Sequence, residues 1–277
     1  MTVRLGAGHR RLLRPSSLHR LGVRHLATAA AVGAVTVSSF LASSPLHAHA
    51  VVPKTPDDAA AARPNIVFIT TDDMRMSDMA HMPNVKRLLG AHGITFTHAL
   101  SPHPLCCPAR AEWMTGQYGQ NNGVHHNEGT HGGFPALINP NNNLGVWLQR
   151  AGYQTAMSGK FMNGYRASDG TLDGWNHWNP SVERVYAYTN TTFYNDGNLT
   201  TQAANTDDAI VDYTTSYIRQ FARTDKPFMV WASQLAPHSA LVGRRWSPPI
   251  PAVRHRHLFR GLINPSTRKP SYLVGKG

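Results

Sequence analysis

Two adjacent cysteines are the residues most indicative of chemistry in this sequence. Cys106 and Cys107 are its only cysteines, and the basic, then small and apolar N-terminal segment predicts export. In an exported protein two cysteines usually form a disulfide, but neighbouring cysteines can bridge only with a strained peptide geometry. We therefore expect this pair to be used for chemistry and not for a structural crosslink.

Acidic and basic side chains that could act with the cysteines follow predicted strands. Asp72 and Asp73 come directly after one strand, and carboxylates at the C-terminal end of a buried strand are where open α/β sheets place their sites. Their oxygens suit a hard divalent cation. Lys160 and His238 follow two later strands. Taken singly, each of these residues is more typical of an ordinary turn or surface position than of a catalytic site.

The elements that position these residues alternate along the chain. Short apolar runs predict strands at 65–70, 94–97, 153–157 and 228–232. Helical spacing predicts helices at 82–89, 112–115, 144–151 and 206–221, the last with Thr206 as N-cap. The strand at 65–70 reads as buried because it is continuously apolar. This alternation predicts an α/β fold whose mostly parallel sheet carries helices on both faces.

The first 63 residues are set apart from the fold. Residues 1–50 read as a signal peptide, with Ala48-His49-Ala50 as its cleavage signature, and 51–63 as a linker. The alternative is an uncleaved membrane anchor, but the apolar run is marginal in length for a span. We therefore predict a secreted or extracytoplasmic protein without stable membrane insertion, whose catalytic domain occupies 64–277.

Positive charge is concentrated near the C-terminus. The chain has a formal net charge of +12, and no Asp or Glu follows Asp225. A basic face can attract anionic polymers such as sulfated glycans. The alternative, which we favour, is a segment whose acidic partners lie on sequence not present here. No nucleic-acid partner is predicted.

Ordered segments of the chain resemble the formylglycine-dependent sulfatase family. They are 63–67 with Asp72-Asp73, 82–85 with 93–96, Cys106-x-Pro108-x-Arg110 with Thr115-Gly116, 152–156 with Gly159-Lys160, and Ala236-Pro237-His238. The Cys-Cys-Pro form, the segment 159–163 and Trp175-x-x-Trp178 look most like the N-acetylglucosamine-6-sulfatase branch. The resemblance implies an alkaline-phosphatase-like α/β fold, of which this chain holds the N-terminal part.

The resemblance also implies a mechanism and a set of roles. A formylglycine-generating enzyme would oxidise Cys106 to formylglycine, whose hydrated aldehyde attacks the sulfur of a sulfated small molecule or glycan. The implied metal ligands for a calcium ion are Asp72, Asp73 and the modified Cys106. The implied catalytic residues are Cys106, Arg110 as a stabiliser of the hydrated aldehyde, and Lys160 and His238 as sulfate contacts, with His238 also a candidate proton donor.

The sequence departs from the family pattern in places. Met162 stands where many sulfatases have a histidine, and Ala109 replaces the more usual serine. Family members continue to a distal Asp-Asn pair that completes the calcium site, so we expect the chain as given to bind calcium weakly and to turn over poorly. Two other functions stay open: a phosphatase or phosphodiesterase of the related fold, and a non-catalytic secreted binder of sulfated glycans.

Overall fold

The computed structural model describes residues 63–262. The predicted signal peptide and all of the predicted linker except Arg63 lie outside the described residues, as does 263–277. Among residues 63–262, no helix has the length and apolar character that crossing a bilayer requires.

A six-stranded mixed sheet forms the centre of the described region. Its strand order is β1-β6-β2-β3-β4-β5, parallel from β1 through β3 and antiparallel where β4 and β5 are added, while β7 and β8 form a separate hairpin. The strands are β1 (Ile66–Thr70), β2 (Gln154–Gly159), β3 (His177–Val182), β4 (Thr191–Asn195), β5 (Asn198–Gln202), β6 (Phe228–Ser233), β7 (Ala240–Val242) and β8 (Arg245–Ser247).

Helices cover the sheet and link its strands. They are α1 (Pro83–Val85), which continues into a π-helical turn (Lys86–Gly90), α2 (Cys106–Thr115), α3 (Gly119–Asn122), α4 (Leu144–Arg150) and α5 (Thr206–Phe221). The four helices predicted from spacing are thus confirmed. The mostly parallel α/β architecture predicted from the sequence is also confirmed, and it matches the alkaline-phosphatase-like fold that the resemblance implied.

Alternating residues of the central strands build two cores, one on each face of the sheet. Ala156 and Val230 pack with Tyr217 and Phe221 of α5 on one face. Their strand neighbours pack on the other face, in a larger core that includes buried residues of α2; these are Met157, Met229 and Trp231 with Cys107, Ala111 and Met114. Period-two alternation in a strand sends neighbours to opposite faces. The sheet is therefore covered on both sides, as predicted.

The cysteine segment starts a helix because its residues suit a helical N-terminus. Pro108 lies in the first turn of α2, where a missing N–H costs no helical hydrogen bond. Gly116 ends the helix in the left-handed conformation, at φ 61°, and its N–H binds the Glu112 carbonyl. Cys106 is therefore the first helical residue, at the end where the exposed N–H groups favour negative charge.

The register of the parallel strands brings the candidate residues to one edge of the sheet. Thr70 and Gly159 both lie opposite Ser233, so β1, β2 and β6 end together. Gly159 has a φ of 112°, and a Cβ there would lie 2.0 Å from the Ser233 carbonyl oxygen. Only glycine allows this approach, which lets the Lys160 N–H bind the same oxygen at 2.9 Å.

Some sequence predictions were wrong or incomplete. Residues 94–97 form no strand, since no strand of the described region runs beside them, and Ile94 and Phe96 are exposed. The N-cap of α5 is Asn205 and not Thr206: the Asn205 side chain accepts from the Asp207 N–H. The strand β1 exists, but Ile66, Val67 and Ile69 are 37–55% exposed because β1 is an edge strand of the described sheet. The strands β3 to β5 were not predicted.

Candidate active site

Asp72 lies at the centre of a buried charge cluster. Its carboxylate is 2.5 Å from the Lys160 ammonium and 3.7 Å from the Arg110 guanidinium. All three side chains are nearly inaccessible to water. Burial alone would raise the pKa of Asp72, but Arg110 and Lys160 together outweigh it and hold the pKa below its usual range. Asp72 is therefore ionised and balances two cations, which leaves the cluster with a net positive charge.

The Arg110 side chain is held by hydrogen bonds to Lys160 and Ser233, which the sequence did not predict. Its Nη1 donates to the Lys160 carbonyl at 2.7 Å and to the Ser233 hydroxyl at 2.5 Å. Its Nε is buried and has no hydrogen-bond partner within the described residues. Arg110 thus joins the helix α2 to the ends of β2 and β6.

The two cysteines face different surroundings. Cys106 is half-buried, and its sulfur lies within 4.8 Å of an Asp72 oxygen and a His238 nitrogen. Cys107 is fully buried, where its N–H binds Asn127 and its sulfur accepts from the Asn163 N–H at 3.1 Å. Burial raises the pKa of the Cys106 thiol and raises that of Cys107 to about 11. Both are free thiols in this structure.

His238 approaches the cluster from the loop after β6. Its Nδ1 lies 2.7 Å from the Ser239 carbonyl, which makes Nδ1 the protonated nitrogen and turns Nε2 towards Asp73 at 3.6 Å. Asp73 is exposed and adopts a left-handed conformation, at φ 63°. The site thus brings together all six candidate residues, with Asp73 at its rim and not in the group formed by Asp72, Cys106 and His238.

The oxygen-bearing residues fit a hard cation in part. Asp72 and Asp73 supply carboxylate oxygens, the ligands that calcium prefers, and Cys106 lies beside them. Calcium takes about six to eight oxygens. The remaining ligands must come from water, substrate or residues beyond those described. Because Asp72 already contacts two cations, an ion bound there would share its carboxylate with Lys160 and Arg110.

Tyr186 and Asn163 lie near the site, and the sequence predicted no role for either of them. The ring of Tyr186 stacks on His238 with a centroid distance of 4.7 Å, and the Lys160 ammonium lies 4.2 Å from the centre of the same ring. Burial raises the pKa of Tyr186 to about 12, so its hydroxyl is protonated and donates to the Asn163 amide oxygen at 3.0 Å. Met162, at the position where a histidine is common in the family, is buried in the core.

A buried carboxylate of α5 holds the loop that carries His238. One oxygen of Asp207 accepts from the N–H groups of Leu235 and Ala236, at 2.8 and 3.1 Å. The Ala236 carbonyl in turn accepts from the Asp72 N–H at 3.2 Å. Asp207 therefore positions the loops on which both Asp72 and His238 lie.

We expect Asp207→Ala to destabilise the protein by about 1–3 kcal/mol, because it leaves two amide donors without an acceptor. Asp207→Asn is the matched control. Asparagine keeps an oxygen that can accept from both amides. It also removes a carboxylate whose pKa is raised by burial, so the effect should stay below about 1 kcal/mol. Denaturant unfolding measures both variants. Equal losses would contradict the assigned hydrogen bonds.

The basic C-terminal segment has one acidic partner within the described chain. Both terminal nitrogens of Arg254 lie 2.5 Å from the Asp208 carboxylate. The expectation that the acidic partners of this segment lie on sequence not present here is therefore wrong for Arg254. The physical reason is that α5 directs an acid from its first turn towards the segment.

The chain is similar to known sulfatases in sequence and in structure. The family model described as "Sulfatase" matches residues 64–254. The chain is 32% identical over 228 residues to the human N-acetylglucosamine-6-sulfatase, covering 76% of this chain and 39% of the relative. It is 30% identical over 223 residues to the N-acetylglucosamine-6-O-sulfatase of Bacteroides thetaiotaomicron, covering 76% and 36%.

A solved structure agrees with these matches. That structure, BT4656 in complex with its substrate D-glucosamine-2-N,6-O-disulfate, superposes with a TM-score of 0.60 at 29% identity. The match covers 73% of this chain and 39% of that one. The present chain thus spans well under half the length of these relatives. Because the family model covers more than half of the chain and includes all six candidate residues, the protein belongs to the sulfatase family.

Proposed function

We propose that this protein hydrolyses sulfate monoesters by means of a formylglycine made from Cys106. The observation that carries the proposal is the convergence of Cys106, Asp72 and His238 within 4.8 Å, with buried Lys160 and Arg110 in contact with Asp72. Fixed positive groups in a site that excludes water stabilise the charge of a sulfate group and of its transition state.

The side chains have separate roles in this proposal. The formylglycine made from Cys106 would supply, as its hydrate, one hydroxyl that attacks sulfur while the S–O bond to the alcohol breaks, and a second hydroxyl whose deprotonation releases sulfate and restores the aldehyde. Lys160 binds a sulfate oxygen through its ammonium, and the Arg110 guanidinium, which lies beside Asp72, stabilises the hydrated aldehyde. The Nδ1–H of His238 is held by the Ser239 carbonyl, which leaves Nε2 facing the site. The imidazolium form of the ring, with a second proton on Nε2, would give that proton to the leaving alcohol.

A calcium ion would be held by Asp72, Asp73 and the oxygen of the modified Cys106. Its contribution when bound would be to draw charge from the sulfate oxygens. Asp72 keeps Lys160 and Arg110 in position through its two oxygens. Asp73 lies 3.6 Å from the Nε2 of His238, whose ring is held by the Ser239 carbonyl and by stacking on Tyr186.

The substrate class and the cellular context are part of the same proposal. The similarity to enzymes named for N-acetylglucosamine 6-sulfate supports a sulfated sugar as substrate. The segment 1–50 supports export from the cytoplasm. A formylglycine-generating enzyme is then the partner that must act on Cys106 before the protein is active.

Two measurements on the protein made with a formylglycine-generating enzyme test the proposal. Mass spectrometry of the tryptic peptide containing Cys106 should find it lighter by the difference between a CH₂–SH and a CHO group. Nitrophenyl sulfate should be hydrolysed and nitrophenyl phosphate should not. Phosphate turnover with an unmodified thiol would favour the phosphatase function. An unmodified thiol with neither activity would favour the glycan-binding function.

A further inference from the structure

The loop that carries His238 is attached to the rest of the protein at both of its ends. At its start, the Asp207 carboxylate accepts from the N–H groups of Leu235 and Ala236. At its end, the hydroxyl of Tyr188 donates to the His238 carbonyl at 2.6 Å. Between these points the His238 N–H closes a turn on the Leu235 carbonyl at 3.0 Å. The backbone that carries the imidazole is therefore held by two side chains from outside the loop.

The Tyr188 side chain is buried and acts as a hydrogen-bond donor. It is 3% exposed and packs with Leu235 and Ala240. Burial raises the pKa of the Tyr188 hydroxyl, which is therefore protonated. A carbonyl oxygen can only accept, so the hydroxyl is the donor to His238. Water has little access to this hydroxyl and cannot readily take its place.

Tyr188 is itself tied to the first turn of α5. Its carbonyl accepts from the Thr206 N–H at 2.9 Å, and the Thr206 hydroxyl donates to the neighbouring Ala187 carbonyl at 2.7 Å. Asp207, the next residue of α5, holds the start of the loop. One helical turn thus fixes both side chains that hold the loop, and the two attachment points keep a constant separation.

The hydrogen bond from Tyr188 bears on the orientation of the His238 ring. The accepting carbonyl belongs to the peptide unit that joins His238 to Ser239, and the ring Nδ1 donates to the Ser239 carbonyl at 2.7 Å. Because a peptide unit is planar, fixing its carbonyl restricts where the Ser239 carbonyl can lie, and with it the ring. Tyr186 stacks on the imidazole, and Nε2 is left on the side of Asp73.

Resting on the proposed sulfatase activity, we propose that Tyr188 is a positioning residue, which acts through the His238 peptide to keep the imidazole in the orientation that presents Nε2 to the leaving alcohol. Tyr188 itself touches no reacting atom. Without its hydroxyl, the Ser239 carbonyl and the ring can move, and the neutral ring populates both of its tautomers. Proton donation then slows, since a misplacement of about 1 Å can cost about a hundredfold in rate.

Heteronuclear NMR of the His238 ring nitrogens tests the proposal without any need for turnover. The protein carries the unmodified Cys106 thiol, its histidines are isotopically labelled, and His238→Gln identifies the signals of this ring. At a pH at which the ring is neutral, we expect the unsubstituted protein to show the Nδ1–H tautomer alone. Tyr188→Phe keeps the buried ring and removes only the hydroxyl, and it should show signals of both tautomers.

Kinetics with two leaving groups measures the consequence for proton donation in the formylglycine-bearing protein. Nitrophenolate leaves without a proton, whereas the alcohol of N-acetylglucosamine 6-sulfate needs one. We expect Tyr188→Phe to lower kcat for the sugar sulfate by about ten- to a hundredfold, and kcat for nitrophenyl sulfate by less than about threefold. Loss of a sulfate contact alone would lower both rates by the same factor.

Tyr165→Phe is the matched control. Tyr165 is similarly buried, and its hydroxyl also donates to a backbone carbonyl at 2.6 Å, but that carbonyl belongs to Gly170. The Tyr165 hydroxyl also accepts from the Trp178 indole, so the control should lose at least as much stability as Tyr188→Phe. The His238 tautomer and the ratio of the two rates should stay unchanged. If the control alters both, general loss of stability explains the effect and the proposal is rejected.

Failure of this proposal can be told apart from failure of the proposed function. A single tautomer in Tyr188→Phe, or an equal loss of rate for the two esters, rejects the positioning role alone. A mixture of tautomers in the unsubstituted protein also rejects it, and that result does not depend on the folding of any variant. If the unsubstituted, formylglycine-bearing protein hydrolyses neither ester, the proposed function fails and the tautomers alone decide the role of Tyr188.

Discussion

Cys106→Ala is expected to lower kcat/KM for nitrophenyl sulfate by at least about a thousandfold, because loss of a nucleophile removes the reaction path itself. Alanine cannot be converted to an aldehyde, and no other cysteine contacts Asp72 or His238 within the described residues. The measurement compares both proteins, produced with a formylglycine-generating enzyme, over a range of substrate concentrations. Folding is checked by their unfolding transitions, which should agree closely.

The neighbouring cysteine provides a matched control. Cys107→Ala removes a sulfur of the same type from the same turn of α2, but one that accepts only from the Asn163 N–H. We expect it to lower stability by about 1 kcal/mol while the Cys106 peptide still shows the aldehyde mass. Loss of turnover in the Cys107 variant with full activity of the Cys106 variant would show that the assignment of the two cysteines is reversed.

Asp72→Ala is expected to destabilise the protein by about 3–5 kcal/mol, since it leaves two buried cations without their carboxylate. Lys160 and Arg110 are each about 1% exposed, so water cannot replace the lost charge. Asp73→Ala is the matched comparison, because Asp73 is the next residue and is exposed. Its effect should stay below about 2 kcal/mol, the cost of placing alanine in the left-handed conformation of Asp73. Denaturant unfolding in the presence of a chelator measures both.

Calcium titration by calorimetry then separates stability from ion binding. If both aspartates are ligands, either substitution should remove the heat of calcium binding. Only Asp72→Ala should also lower the free energy of unfolding strongly. Low-micromolar calcium affinity in the unsubstituted chain would contradict the expectation of weak binding. Unchanged calcium affinity in Asp73→Ala would remove Asp73 from the ligand set.

The sequence was sufficient to predict which residues lie close together where their position follows from the ends of strands. Asp72, Lys160 and His238 each come shortly after an apolar run, and parallel strands that end in register must bring such residues together. Cys106 and Arg110 are four residues apart, so one helix presents both on the same side. These relations depend on local spacing and on one general rule of α/β sheets.

Other features depended on packing that local patterns do not encode. Tyr186 and Asn163 meet because the chain between β3 and β4 folds back over the segment after β2, and neither segment has an apolar periodicity that predicts this. Asp207 looked like an ordinary first-turn acid of α5, yet it binds the loop after β6. The exposure of β1 could not be predicted either, because a continuous apolar run does not say how many neighbours a strand has.

The position of β1 has a consequence for ion binding. Within residues 63–262 this strand has β6 as its only neighbour, so its backbone amides are secured from one side and should exchange with deuterium sooner than those of β2 or β6. Asp72 and Asp73 extend from it, whereas His238 extends from the β6 side. An ion that binds these residues together would tie the outermost strand to its inner neighbour, and isotope exchange along β1 would slow in proportion to how fully the ion is bound.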